Sequence, residues 1–428
     1  GARGEGRGAR GEGRGRAHQA ETLAGTCSAV RHVAYLCLGD DGQLVLSDED
    51  FEDIRPYQDS EVPEVIRRLE NDKEFISVLA TSLMPSRISR SLVGRYLSFL
   101  TFKWQTRSLY SVEQCQDLMS KYFEKLVTNT MEGMTVDGLD KLEKNRSYLF
   151  ISNHRDIVLD SACLNYFLRQ SGHQTARVAV GDNLFSWPYA ADLMRVNKSF
   201  IVKRGAPTSR ERYRQMVKTS EFVWRSINQG HSVWIAQKEG RSKDGYDRTD
   251  PAVLKMLGLA HKEHGGVGVL PSRVSIVPVA ISYEIDPCAI KKAHELSQIK
   301  REGIYEKSSA EDLESMLLGI VGYKGRVHLS VTKPIEGDVG GLEELYSQID
   351  RQIVSDLKIY PTHSEAAFRL SLSDKSFEGL GSSVTNQPNQ ALQAMLADLD
   401  ACPQEEQPFF LLQYANLIKN RRDLFPSL

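Results

Sequence analysis

The 428-residue sequence has no uninterrupted apolar run of roughly 18 residues, the length a helix needs to cross a bilayer. Cysteine is scarce and scattered. Cys27, Cys37, Cys115, Cys163, Cys288 and Cys402 form no CxxC pair and no metal-ligand spacing, so free thiols in a reducing compartment are expected. Neither sign of charge dominates: 54 Lys and Arg stand against 56 Asp and Glu, a formal net charge of −2. The molecule as a whole therefore has no pull toward nucleic acid or membrane, and any basic partner surface must be local. The first residues lack the apolar stretch of a secretory signal, which makes the cytoplasm the expected location. Metal spacing is also missing. Asp244, Asp247 and Asp250 mimic a calcium loop, but Arg248 and Pro251 intrude and no Glu closes it.

What is present is ordinary for a globular protein, with 41% hydrophobic and 26% charged residues. The chain divides into four zones. Residues 1–20 begin GARGEGRGARGEGRGRA, with no large apolar residue to offset backbone entropy, and are expected to be a disordered Gly/Arg-rich tail. That tail has no aromatic residue on which a base could stack, and its glutamates dilute the charge, so nucleic acid is not an expected partner.

Residues 21–130 read as mainly helical. Val62, Val65, Ile66, Leu69, Ile76, Leu79 and Leu83 recur at helical spacing, Pro63 suits a first turn, and Pro85 ends the segment. A second stripe of Ile88, Leu92, Tyr96, Leu97, Leu100 and Trp104 is interleaved with Arg87, Arg90, Arg95, Lys103 and Arg107. A basic amphipathic helix with interfacial aromatics fits an anionic membrane surface; docking on the main domain is the alternative.

Residues 131–340 alternate between β-rich runs and helical stretches. The runs 147–152, 176–180, 199–203, 232–236, 274–281 and 325–335 read as strands, with helices expected at 209–229 and 252–263. This pattern predicts an α/β domain with a mostly parallel central sheet flanked by helices, preceded by the N-terminal helical segment. Residues 341–428 read as a helical extension that starts with a closing helix at 341–357 and carries no readable chemistry beyond 360.

In open α/β sheets, ligands gather at the carboxyl ends of strands. Three of the expected strands end in polar clusters. The first is followed by Asn153, His154, Arg155, Asp156 and Asp160, the third by Lys203 and Arg204, and the fourth by Glu239, Gly240, Arg241 and Lys243. A histidine oriented by a carboxylate can take a proton from a hydroxyl. There is no GxSxG elbow and no cysteine placed as a nucleophile, so the hydroxyl to be activated belongs to a substrate. Lys203, Arg204 and Arg241 suit an anionic handle such as a phosphate, and three cations at one edge would repel one another without an anion between them. A base, a substrate alcohol and a phosphate pocket together describe acyl transfer from a thioester.

Four blocks in order resemble the glycerolipid acyltransferase family, which includes the glycerol-3-phosphate and lysophosphatidate acyltransferases. SNHRDIVLD resembles its Asn-His…Asp catalytic block, NKSFIVKRG its phosphate-binding block, and KEGRSKDG the block that completes the glycerophosphate site. IVPVAISYE resembles its fourth block, whose proline, here Pro278, shapes the acyl pocket. The resemblance spans about residues 130–335. It implies His154 as base and Lys203, Arg204, Glu239, Gly240 and Arg241 at the acceptor. It also implies acyl-CoA or acyl-carrier-protein as donor, a phosphorylated glycerol or lysolipid acceptor, phospholipid biosynthesis, and no metal or further cofactor. Membrane association is implied too, expected as peripheral binding on the inner face.

Two departures stand out. The family places four residues between His and Asp, whereas five separate His154 from Asp160. Asp160 is the expected partner through a bulge or shifted helix start; Asp156 is the alternative, or a cap for the next helix. The third block lacks the small residue between Gly240 and Arg241, which makes Lys243 a further candidate for the phosphate. Rival readings are acylation of another amphiphilic alcohol, such as a lysophospholipid or an ornithine lipid, and a non-catalytic lipid-phosphate binding module.

Overall fold

The computed structural model describes residues 46–83, 88, 91–308, 310–337, 339–384 and 388–426. The expected tail, Cys27, Cys37, Arg87 and Arg90 lie outside them. The chain separates into Gly1–Asp50 and Phe51–Leu428. Little of the first unit is described; at its end the Ser47 N–H donates to Asp50 Oδ2 at 2.7 Å.

Short β-branched and aromatic runs with no polar interruption favour strands buried on both faces. In Phe51–Leu428 they form one seven-stranded sheet among the described residues: β1 (Gly133–Asp137), β2 (Tyr148–Ser152), β3 (Arg177–Gly181), β4 (Ser199–Val202), β5 (Val233–Ala236), β6 (Ser275–Tyr283) and β7 (Arg326–Val331). The spatial order is β1-β7-β6-β2-β5-β3-β4. Every pairing is parallel except β6 with β7. The sheet is therefore mostly parallel, as the alternation of elements predicts. β2 lies at its centre with all five residues buried, between β5 and β6. β1 is not evident in the sequence because only Met134 and Val136 mark it as apolar; it exists by pairing with β7, with Thr135 opposite His328.

Helices cover the sheet. Upstream come α1 (Val62–Asn71), α2 (Lys73–Leu83), α3 (Leu92–Thr106) and α4 (Val112–Thr130). Between strands lie α5 (Leu159–Gln170), α6 (Pro188–Val196), α7 (Ser209–Asn228), α8 (Pro251–Leu257), α9 (Ala289–Glu302) and α10 (Glu311–Val321). Downstream are α11 (Leu342–Asp356), α12 (Pro361–Ser371), α13 (Gln390–Ala401) and α14 (Gln407–Leu424). The stretch that reads as one helix from 62 to 83 is two, because the Asp72 carboxylate accepts the N–H groups of Glu74 and Phe75, both at 2.9 Å, and starts a new helix. The late strand likewise stops at Val331; only Ile335 returns, as an isolated bridge to Ile276.

Among the described residues, three apolar clusters hold these layers. One joins β2, β6 and β7 to α5, a second joins α1–α4 to α6, and a third joins α9 to α12, α13 and α14. Helix α3 packs through a narrow line of Gly94, Ser98, Phe102 and Thr106. Its remaining apolar residues point outward: Leu92 is 84% and Trp104 63% exposed, and Val93, Tyr96, Leu97 and Leu100 accompany them.

Phe150 in β2 is fully buried. Phe150→Ala should lower the unfolding free energy by ~3–5 kcal/mol, measured by denaturant titration, because the cavity sits between packed faces that cannot collapse.

Candidate active site

At the exit of β2 the backbone leaves the sheet, and Asn153 uses its side chain to continue the ladder. Its Oδ1 accepts the Ile281 N–H at 2.8 Å and its Nδ2 donates to the Ile281 carbonyl at 2.9 Å. This anchors the next residue, His154, above the strand. The imidazole packs edge-on against Trp234 of β5, with centroids 5.8 Å apart. The Trp234 indole N–H in turn donates to Ser152 Oγ at 3.0 Å.

His154 Nδ1 lies 2.7 Å from Asp160 Oδ2. The sixth residue along the chain therefore reaches the ring. Residues 153–158 are irregular, α5 begins only at Leu159, and Asp160 stands in its first turn. There the helix dipole favours a negative charge. The fully buried Asp160 carboxylate also accepts the backbone N–H groups of Arg155 (2.6 Å) and Asp156 (3.0 Å) at Oδ2, and the Tyr283 hydroxyl (2.9 Å) at Oδ1. An ionised carboxylate only accepts, so Nδ1 carries the proton and Nε2 presents its lone pair.

Asp156 does something else. Its Oδ1 accepts the N–H groups of Val158 (2.9 Å) and Leu159 (2.8 Å), a local turn that starts α5. Its other oxygen lies against Gly319 of α10, where an added methyl would come within 2.1 Å. Burial and the neighbouring Asp160 charge push its pKa up.

The basic residues are less free than the sequence suggests. Lys203 pairs with Asp53, which Lys218 also holds at 2.5 Å. Arg204 pairs with exposed Glu239 at 3.2 Å, joining the ends of β4 and β5. Lys243 pairs with Glu295 of α9. Lys203 and Arg204, expected to repel other cations without an anion between them, each have a carboxylate within reach. Arg241 differs. Burial disfavours its charge, but Cys288, Asp286 and Asp156 beside it hold its pKa above the usual arginine value. Its Nη1 is buried with no hydrogen-bond partner among the described residues.

Gly240 adopts a φ of +73° with open space at its missing Cβ, so the turn out of β5 needs glycine for its backbone angle. The following residue but one, Ser242, donates its N–H to the His154 carbonyl at 2.7 Å. Arg241 and Lys243 thus flank the residue that bonds the histidine carbonyl. Pro278 lies within β6 opposite Ile151. Its carbonyl accepts both the N–H (3.1 Å) and Oγ1 (2.7 Å) of Thr332, so its missing N–H falls where the β6–β7 ladder ends.

Several positioning groups have no sequence signature. Lys292 Nζ donates to the Arg155 carbonyl at 2.9 Å and to Asp286 at 2.5 Å. The Arg155 guanidinium holds Asp247 at 2.5 Å and the Gly245 carbonyl at 3.3 Å. From outside, Asn416 and Asn420 of α14 donate to the carbonyls of Asp244 (2.8 Å) and Asp247 (3.0 Å). Gly245 lets the loop approach α14 so closely that a methyl there would meet the Gln413 carbonyl at 2.2 Å. Asn416→Leu and Asn420→Leu should each cost ~1–3 kcal/mol by stranding an acceptor. Amide exchange should quicken across residues 241–249 before it does elsewhere; uniform acceleration would deny α14 this anchoring role.

A family model described as Acyltransferase matches residues 133–282, from β1 almost to the end of β6. No curated protein matches the sequence. Among solved structures, the chain is similar to the crystal structure of the 1-acyl-sn-glycerophosphate acyltransferase PlsC from Thermotoga maritima. The identity is 15%, covering 68% of this chain and 91% of that one, with a TM-score of 0.34. The family match spans the first three blocks and all but two residues of the fourth, so residues 133–282 form a domain that matches the acyltransferase family.

Proposed function

We propose that the protein moves a fatty acyl group from an acyl thioester, carried by CoA or acyl-carrier-protein, to a hydroxyl of a glycerol-phosphate-type acceptor in phospholipid biosynthesis. The observation that carries this reading is the buried Asp160 bonded to His154 Nδ1, which leaves Nε2 as a base. Nε2 takes the acceptor's hydroxyl proton as the oxygen attacks the thioester carbonyl. When the C–S bond breaks, the imidazolium returns that proton to the departing thiolate. Cys163 and Cys288 are buried, and burial pushes both thiols up, which argues against a cysteine-bound acyl intermediate. The unpartnered Nη1 of Arg241 supports an anionic acceptor, because a phosphate oxygen would satisfy a buried donor. Arg204 and Lys203 would exchange their carboxylate partners for the same anion.

We also place the protein peripherally on the inner face of a membrane, with α3 as the contact. No helix among the described residues is long and apolar enough to cross a membrane. The outward row of Leu92, Tyr96, Leu97, Leu100 and Trp104 supports surface binding, flanked by Lys103 over the Phe99 ring and Arg107 over the Trp104 ring.

The central test assays purified protein for thioester consumption with glycerol-3-phosphate, lysophosphatidate, lysophospholipids and an ornithine lysolipid. Turnover with the phosphorylated glycerols is expected, and His154→Ala should lower kcat at least ~100-fold with acceptor binding retained. Asp160→Asn should be nearly as harmful and Asp156→Asn milder. Arg241→Ala should cost about ten- to a hundredfold in kcat/KM for a phosphorylated acceptor and little for the donor. Affinity for acceptors without turnover would turn the reading into that of a binding module. For the membrane contact, sedimentation with anionic vesicles should weaken about fivefold for each of Arg95→Glu and Lys103→Glu, and Trp104→Ala should weaken it further. Equal binding of parent and variants would remove α3 from the interface.

A further inference from the structure

The Tyr283 hydroxyl is a second, independent hold on Asp160. It reaches Oδ1 at 2.9 Å from the end of β6, a strand that neighbours β2, while the other three donors all meet Oδ2. Its ring belongs to the same apolar cluster as Cys163 and Leu164 of α5, so the hydroxyl has little freedom to leave. We propose that Tyr283 is a positioning residue for the acyl-transfer base, holding the Asp160 carboxylate so that Oδ2 faces His154 and sharing the carboxylate's charge with the imidazole. This deepens the reading of His154 as the base and rests on it.

The direction of the effect follows from charge balance. When His154 is neutral, the buried Asp160 charge has no opposite charge on the ring, and the phenol hydrogen bond stabilises it most. When His154 is protonated, the imidazolium already answers that charge and the phenol matters less. Removing the hydroxyl therefore destabilises the neutral-histidine form more, and His154 should bind its proton more tightly. The phenol stays protonated throughout, because burial and the Asp160 charge push its pKa well above the ordinary tyrosine value. The other titratable groups facing the pair are Asp156 on the same loop, Cys163 on α5 and Asp247 on the loop after β5. All three remain in the variant.

The experiment is an NMR titration of the His154 ring in the full chain, assigned by comparison with His154→Gln. Tyr283→Phe should raise the His154 pKa by about half a unit or more. In an Asp160→Asn background the same substitution should move it hardly at all. Steady-state kinetics should show kcat about tenfold lower, with the KM of donor and acceptor nearly unchanged and the acid limb of the pH profile displaced upward. A folded Tyr283→Phe protein whose His154 titrates at or below the parent value overturns the proposal. If that variant fails to fold, Tyr283→3-fluorotyrosine keeps the ring and strengthens the donor. It should lower the His154 pKa, and an unchanged or higher value overturns the proposal equally. Because the titration needs no substrate, it remains decisive even if the protein turns over no thioester.

Discussion

A carboxylate with no exposure to water is costly to bury, and the site is arranged around one, Asp160. An uncompensated buried anion costs several kcal/mol, so Asp160 must be met by donors. Four reach it: the imidazole of His154, two backbone N–H groups and the Tyr283 hydroxyl. Each donor comes with its own structural demand. The backbone pair requires the irregular loop 153–158, the imidazole requires the exit of β2, and the phenol requires β6 beside it. Moving any of these elements would strand the charge. The same arrangement sets the tautomer of His154, since an acceptor-only carboxylate leaves Nδ1 no role but donor.

The loop carrying the histidine is held from directions far apart in the chain. Asn153 continues the ladder onto β6, Ser242 bonds the His154 carbonyl, and Lys292 bonds the Arg155 carbonyl. Arg155 reaches Asp247, and α14 holds the carbonyls of Asp244 and Asp247 from outside. The helical extension after residue 360 is therefore part of the support of the site. A base that must meet a hydroxyl within hydrogen-bond reach gains from such bracing, because small misplacements are expensive in rate.

The electrostatics distinguish the basic residues that the sequence groups together. Lys203 and Arg204 stand near the surface with exposed carboxylate partners, pairs of the kind that contribute little to stability and exchange easily. Arg241 is the one set among buried groups, with a donor left over. On another face, α3 packs through small residues and turns its aromatic and aliphatic residues to solvent, the reverse of what a core helix does.

The sequence by itself determined the mostly parallel sheet, the placement of polar clusters at the ends of β2, β4 and β5, and the candidate residues themselves. These features are local: strand runs show as short apolar segments, and chemistry shows as ionisable residues directly after them. It left open whether Asp156 or Asp160 meets His154, because one residue of slack in a loop changes reach without changing composition. The start of α5 decided it, set by the Asp156 turn that places Asp160 in the first helical turn. Likewise β1 and the roles of Tyr283, Lys292, Asn416 and Asn420 depend on partners far away in the chain, up to 193 positions for Thr135 opposite His328. Hydrogen bonds between such distant residues have no periodicity and no spacing to read. Only the folded chain brings their donors and acceptors to within 3 Å, and only there does the burial of Asp160 make them necessary.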